Sequence, residues 1–212
     1  MAIRIPTKDK HMRQRLAQEA ARLMAEEGVQ DFFAAKRKAA ERLGAPHTQN
    51  MPRNKEIEEA LQDYQRLFLG AEGAEQLRRL REAAVQAMRF FAPFEPRLAG
   101  SVLAGTAGAH SDVNLHLFAD APEEVNLFLM GAGIPFEVGL RRLRLNRETS
   151  GDIPSVRFLA GEQSIEALIF PANGIRQAPL SPVDGRPTER ASLARVEELL
   201  AQEWEQGPEP TP

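Results

Sequence analysis

Between Leu98 and Asp120 the chain reads LAGSVLAGTAGAHSDVNLHLFAD, and no other stretch restricts the fold as much. A Gly-Ser pair at Gly100-Ser101 leads into a small-residue loop with glycines at Gly105 and Gly108, then into an alternating run that opens at Ser111-Asp112. The alternation predicts a strand over Asp112–Ala119. Side chains point by turns to opposite sides of a strand, so Val113, Leu115 and Leu117 share an apolar face, while Asp112, Asn114, His116 and Phe118 share the other. The apolar face needs helices to cover it. The other face sets a carboxylate, an amide and an imidazole beside a small-residue turn. That combination suits the phosphates of a nucleotide, because backbone N–H groups of such a turn cradle anions and oxygen ligands hold the accompanying Mg²⁺. No Gly-Lys-Ser/Thr follows, so the stretch is not a P-loop, nor is it a dinucleotide GxGxxG.

The flanking sequence divides into a helical half and a mixed half. Residues 8–27 place Met12, Leu16, Ala20, Leu23 and Met24 on one helical stripe, with Thr7 as cap and Gly28 as stop. Asp31 caps a second helix, FFAAKRKAAERL, which Gly44 and Pro46 close. Asn54 is read as the cap of a third helix with a 3.6-residue period at Ile57, Ala60, Leu61, Tyr64, Leu67 and Phe68. Leu69 to Gly73 reads as a break before a fourth helix carrying Leu77, Leu80, Ala84, Ala87, Met88 and Phe91. Beyond Pro93 and Pro96 come a short strand over Arg97–Ser101, the strand from Asp112, and a helix opened by Pro122. A strand follows over Phe136–Leu145, then a hairpin with arms Ser155–Leu159 and Ser164–Phe170 about Gly161. The segment from Pro171 to Pro187 is turn-rich. Ser192 begins a last amphipathic helix (Leu193, Val196, Leu199, Leu200, Trp204), with a tail at 207–212. The expected class is α+β, a helical N-terminal region followed by a small mixed β-sheet domain.

Composition sets wide limits. With 212 residues the chain can bury a core, in one domain or two small ones. A net charge of −3 exerts no global pull toward nucleic acid or membrane. Residues 1–70 hold 13 Lys/Arg against 10 Asp/Glu, and the remainder 14 against 20, a mild contrast. The absence of cysteine excludes a disulfide framework, a thiol nucleophile and a thiolate zinc site. The opening MAIRIPTKDKHM lacks the apolar centre of a signal peptide and no run approaches a membrane-spanning length, so the expected setting is cytoplasmic, with no membrane partner.

Gly100-Ser101, three residues, Gly105, five residues, then Ser111-Asp112-Val113-Asn114 resembles the signature of the nucleotidyltransferase superfamily, the polymerase-beta-like group and especially its minimal nucleotidyltransferases. The resemblance spans Phe94 to Phe170 and is sharp over Gly100 to Phe118. It departs from the family at two points. Asn114 stands where the family has its second metal carboxylate, and Val102, Leu103 and Ala104 replace the basic or polar residues usual after Gly-Ser. The resemblance implies a helical region over 1–70, a nucleotidyltransferase-like domain over 71–206, and the boundary near Gly70. It implies transfer of a nucleoside monophosphate from a Mg²⁺- or Mn²⁺-bound triphosphate to a hydroxyl acceptor. Asp112, Asn114 and Glu166 are then the catalytic and metal-holding residues, and Gly100 and Ser101 the phosphate contacts. The acceptor is not specified, and a nucleic acid is among those admitted.

Each of these residues has a plainer reading. Glu166, in SIEALIF, is either the family's third carboxylate or a paired strand residue. His116 is either a base or nitrogen ligand, or a half-buried hydrogen-bonded residue, and imidazole is a poor Mg²⁺ ligand. The cluster Arg141, Arg142, Arg144, Arg147 either neutralises phosphate, through Arg142 and Arg144 in particular, or keeps an edge strand soluble. At the level of the whole protein, the alternative to an enzyme is a catalytically degenerate descendant of the fold that binds a nucleotide, RNA or a partner protein.

Overall fold

The structure is a computed structural model that describes residues 8–29, 31–68, 70–108 and 110–205. Thr7, Leu69, the side chain of Trp204 and the tail from residue 207 lie outside the described residues. The chain is α+β and forms two compact units. The first runs to Gly73 and includes Gly108 and His110; the second comprises Ala74–Ala107 and the residues from Ser111 onward.

The first unit holds helices α1 (Lys8–Glu27), α2 (Phe32–Arg42) and α3 (Asn54–Phe68). Asp31 caps α2 as expected, its carboxylate accepting from the Ala34 N–H at 2.7 Å. The start of α3 falls one residue earlier than expected. The Ile57 N–H donates to the Arg53 carbonyl at 3.3 Å, which makes Arg53 the cap and Asn54 the first helical residue. Glu56 completes that cap by accepting from the Arg53 N–H at 2.7 Å. The core joins Leu16, Ala20 and Leu23 of α1 to Ala35 and Ala39 of α2 and to Ile57 and Leu61 of α3. Alanines at these contacts let the helix backbones approach closely. Three of the four basic residues of α2 pair with carboxylates: Lys38 with Glu27 at 2.5 Å, Arg42 with Glu19 at 3.4 Å and Arg37 with Glu41 at 3.9 Å.

The expected break at Leu69–Gly73 is narrower than the sequence suggests, because α4 (Gly70–Phe90) begins immediately after residue 69. From Ala74 on, α4 belongs to the second unit, with β1 (Arg97–Ala99), the one-turn helix α5 (Ser101–Ala104), β2 (Val113–Ala119), α6 (Pro122–Gly131), β3 (Phe136–Arg144), β4 (Ser150–Ala160), β5 (Gln163–Pro171) and α7 (Leu193–Glu205). The sheet order is β1-β2-β5-β4-β3, with β2 and β5 parallel and every other neighbour antiparallel. One sheet face packs Leu115, Leu117, Ile165, Ile169, Val156 and Phe158 against Leu80, Met88 and Phe91 of α4, Val125 and Leu129 of α6, and Val196 of α7. This is the face the alternation assigned to the core. β4 starts at Ser150 rather than Ser155, so Pro154 lies inside a strand. Proline is tolerated there because pairing with β5 begins only at Ser155, and the missing N–H takes no bond from that ladder.

Candidate functional site

The opposite sheet face carries the polar residues, and the register fixes their neighbours. Asn114 is paired with Ala99 on β1 and with Glu166 on β5, and Glu166 is paired in turn with Arg157 on β4. Asn114, Glu166 and Arg157 therefore form one transverse row. The Gly-Ser turn closes the β1 end of that row. Gly100 has φ +75° and ψ −156°, and a Cβ placed there would lie 3.1 Å from Asn114 Nδ2. The turn backbone thus rests directly against the Asn114 amide. Asn114 Nδ2 also donates to the Asp112 carbonyl at 3.2 Å, which ties the two residues of the sequence motif together. Behind the turn, the buried side chain of Arg81 donates through Nε to the Val102 carbonyl at 3.1 Å and through Nη2 to the Leu103 carbonyl at 3.4 Å. These bonds satisfy carbonyls that a one-turn helix leaves without intrahelical donors.

The two carboxylates expected to hold metal meet the same guanidinium. Arg157 Nη2 lies 3.5 Å from Asp112 Oδ2 and 3.4 Å from Glu166 Oε1. The other oxygen of Glu166 takes Arg141 Nη2 at 3.1 Å. Gly139 and Ser155, small residues, form the row between Arg141 and the Glu166 row. Of the cluster that sequence alone reads either as phosphate-neutralising or as keeping an edge strand soluble, Arg142 and Arg144 are turned by alternation along β3 to the opposite face from Arg141. Arg142 pairs with Asp152 at 3.3 Å, and Arg144 donates to the carbonyls of Asn146 and Arg147 at 3.3 and 2.9 Å. They lie outside the row. Arg157 was not anticipated, although the expected hairpin about Gly161 would have paired it with Glu166.

His116 sits one row from Asn114 on the same face, but it is buried and its ring lies 4.7 Å from that of Phe170. Burial, aided by the charge of Arg190, lowers its pKa from 6.5 to about 3. Its Nδ1 has no hydrogen-bond partner among the described residues. A neutral, enclosed imidazole is poorly placed to exchange protons with a substrate at neutral pH. It has a consequence for stability. The unfolded chain takes up this proton below about pH 6.5, whereas the folded chain refuses it until about pH 3, so the stabilisation is complete above 6.5 and lost as pH falls through that window. The expected slope is about 1.4 kcal/mol per pH unit. Denaturant titrations at pH 5.0, 6.0 and 7.0 on wild type and His116→Leu check it; the variant should show a flatter dependence, and equal slopes would refute the assignment.

The donor set gives a direct test of whether a metal fits. No group of three or more His, Cys, Asp or Glu side chains gathers among the described residues. Two carboxylates do converge on a single cationic centre, with the Asn114 amide beside them: Glu166 from β5, and Asp112 from the loop just before β2, which begins at Val113 and not at Asp112 as the alternation predicts. That suits one hard divalent cation, since Mg²⁺ is commonly held by one or two carboxylates together with substrate phosphates. It falls short of the four-to-six protein oxygens of a dedicated cage.

Compared with protein-family models, with curated proteins and with solved structures, the chain matches none. No described helix is long and apolar enough to cross a membrane.

Proposed function

We propose that the second unit is a nucleotidyltransferase-like domain that takes a nucleoside triphosphate against the Gly100-Ser101 turn and transfers its nucleoside monophosphate to a hydroxyl acceptor. The observation that carries this reading is the meeting of Asp112, at the entry to β2, and Glu166 of β5 on one cationic centre beside a glycine turn that permits close backbone approach. The turn's N–H groups and the Ser101 hydroxyl contact phosphate oxygens. Asp112 and Glu166 would hold Mg²⁺ or Mn²⁺, with Asn114 supplying a neutral oxygen. When bound, such an ion orients the triphosphate and offsets the charge that develops on it. In the transfer, the acceptor oxygen bonds to the α-phosphorus as the bond to the pyrophosphate oxygen breaks. The hydroxyl proton passes to Asp112, the more open carboxylate, whose side chain is 16 % exposed against 6 % for Glu166. A cytoplasmic setting belongs to the same reading.

A second reading, a nucleotide-, RNA- or protein-binding module without transfer, is favoured by two features: Asn114 brings no negative charge, and the carboxylates are already matched by Arg157 and Arg141. Transfer of label from α-³²P-labelled triphosphates onto protein or RNA separates the two. Under the enzyme reading, wild type labels weakly, Asp112→Ala not at all, and Asn114→Asp more strongly, because paired carboxylates hold the cation better and electrostatic stabilisation of the transferring group is the largest catalytic contribution. Under the binding reading, Asn114→Asp confers no labelling and lowers the melting temperature through like-charge repulsion with Asp112, a loss that Mn²⁺ does not relieve.

A further inference from the structure

Resting on the nucleotide-binding reading, this inference concerns the two arginines over the carboxylates. Their burial is graded. The side chains of Asp112 and Glu166 are 16 % and 6 % exposed, those of Arg157 and Arg141 47 % and 52 %. The guanidiniums therefore lie on the solvent side and the carboxylates on the sheet side. Any anion entering this face reaches the arginines first. A guanidinium prefers phosphate oxygens, which it grips in bidentate fashion, and both arginines have solvent beside them in which to swing. Once they leave, Asp112 and Glu166 are two adjacent negative groups, one of them buried, and such a pair needs a cation in exchange.

We propose that Arg157 and Arg141 form a guanidinium latch: in the free protein they hold Asp112 and Glu166, and a nucleoside triphosphate arriving with its divalent cation draws them onto its phosphate oxygens. Cation and triphosphate then bind as a pair, each poorly alone. The coupling is reciprocal, as linkage requires. The latch also explains why these carboxylates tolerate proximity in the absence of metal. Arg142 and Arg144, on the other face of β3, have no part in it.

The test measures Mn²⁺ binding by electron paramagnetic resonance, with and without adenosine 5′-(α,β-methylene)triphosphate, which cannot be transferred. In wild type the analogue should tighten Mn²⁺ binding by about tenfold, within the usual range of coupling between sites. In Arg157→Gln, Mn²⁺ alone should bind more tightly than to wild type, because the guanidinium shared by Asp112 and Glu166 is gone while Arg141 remains on Glu166. The analogue should bind more weakly and the coupling should shrink. Arg157→Gln should also melt lower than wild type without metal and recover with Mn²⁺, whereas Arg142→Gln should match wild type throughout. Should Arg157→Gln fail to fold, Arg141→Gln, which leaves Glu166 its Arg157 partner, should shift Mn²⁺ affinity in the same direction by less. If Mn²⁺ and the analogue bind wild type but neither variant gains affinity for Mn²⁺ alone, the latch is wrong and the nucleotide site stands. If no protein takes the pair, the nucleotide site fails and the latch with it.

Discussion

Phe91→Ala is expected to destabilise the second unit by about 3–5 kcal/mol, the usual cost of removing a buried aromatic ring. Phe91 is fully buried, and its ring centroid lies 4.9 Å from Phe90, 5.6 Å from Phe158, 5.9 Å from Phe128 and 6.3 Å from Phe94. These rings come from the end of α4, the turn after it, α6 and β4, so the cavity left by alanine has walls on several elements and cannot close by moving one of them. Domains are stable by only about 5–15 kcal/mol, so the loss is a large share of the whole. Native-state hydrogen exchange on the full chain reads it out: amides of β2 and β5 should lose protection, while those of α1–α3 are unchanged. Phe33→Ala, at a position 73 % exposed, should fall within about 0.5 kcal/mol of wild type. Equal effects of the two substitutions would contradict the packing described.

Under the proposed nucleotide reading, Gly100→Ala is the second large effect, and it falls on ligand binding. At φ +75° and ψ −156° the backbone occupies a region open essentially to glycine alone, and holding an alanine there costs about 1–3 kcal/mol. The added methyl would also meet Asn114 Nδ2 at 3.1 Å, so the turn and the amide must part. Titration with a nucleoside triphosphate and Mn²⁺ should show binding lost or sharply weakened. Gly105 offers the control, because its φ of +76° with ψ 17° is left-handed helical and a Cβ there meets nothing nearer than Arg81 Nη2 at 3.8 Å. Gly105→Ala should cost about 1 kcal/mol of stability and leave binding nearly intact. Equal loss of binding in both variants would show that the turn's shape, and not its contact with Asn114, is what the ligand reads.

The parts of this fold that could be read from sequence are those with short-range causes. Alternation over Val113–Ala119 identified both faces of β2, since a period of two has no other regular explanation, and Asp31 announced its cap through a local hydrogen bond. The failures also have local origins. The hairpin arm expected from Ser155 begins at Ser150 instead, with Pro154 inside it, because β5 pairs only from Ser155 onward. Leu69 to Gly73 reads as a break, whereas α4 already begins at Gly70. At the site, the row of Asn114 and Glu166 joins parallel strands far apart in sequence, which no local rule connects. Arg157 opposite Glu166 was nevertheless available from hairpin symmetry, and strand parity alone separates Arg141 from Arg142 and Arg144. The neutral state of His116 was out of reach, because it depends on Phe170 and Arg190, brought in from the far end of the chain.

The parallel pairing of β2 with β5 also governs the order in which the molecule can be made. During synthesis β2 emerges with β1 already available, but its other edge waits for residues 163–171, some fifty positions later. Contacts of that span are slow to form, because the intervening loop must close before any of them rewards it. The helices α1–α3, which pack on near neighbours, can consolidate on the ribosome well before. Until β5 arrives, β2 presents an open edge with an apolar side, the kind of nascent surface that chaperones occupy and that aggregates when they are absent. A chain ended before Gln163 would therefore lose more than Glu166: it would keep the Gly-Ser turn and Asp112 beside a β2 paired on its β1 edge alone, and insolubility is its expected fate.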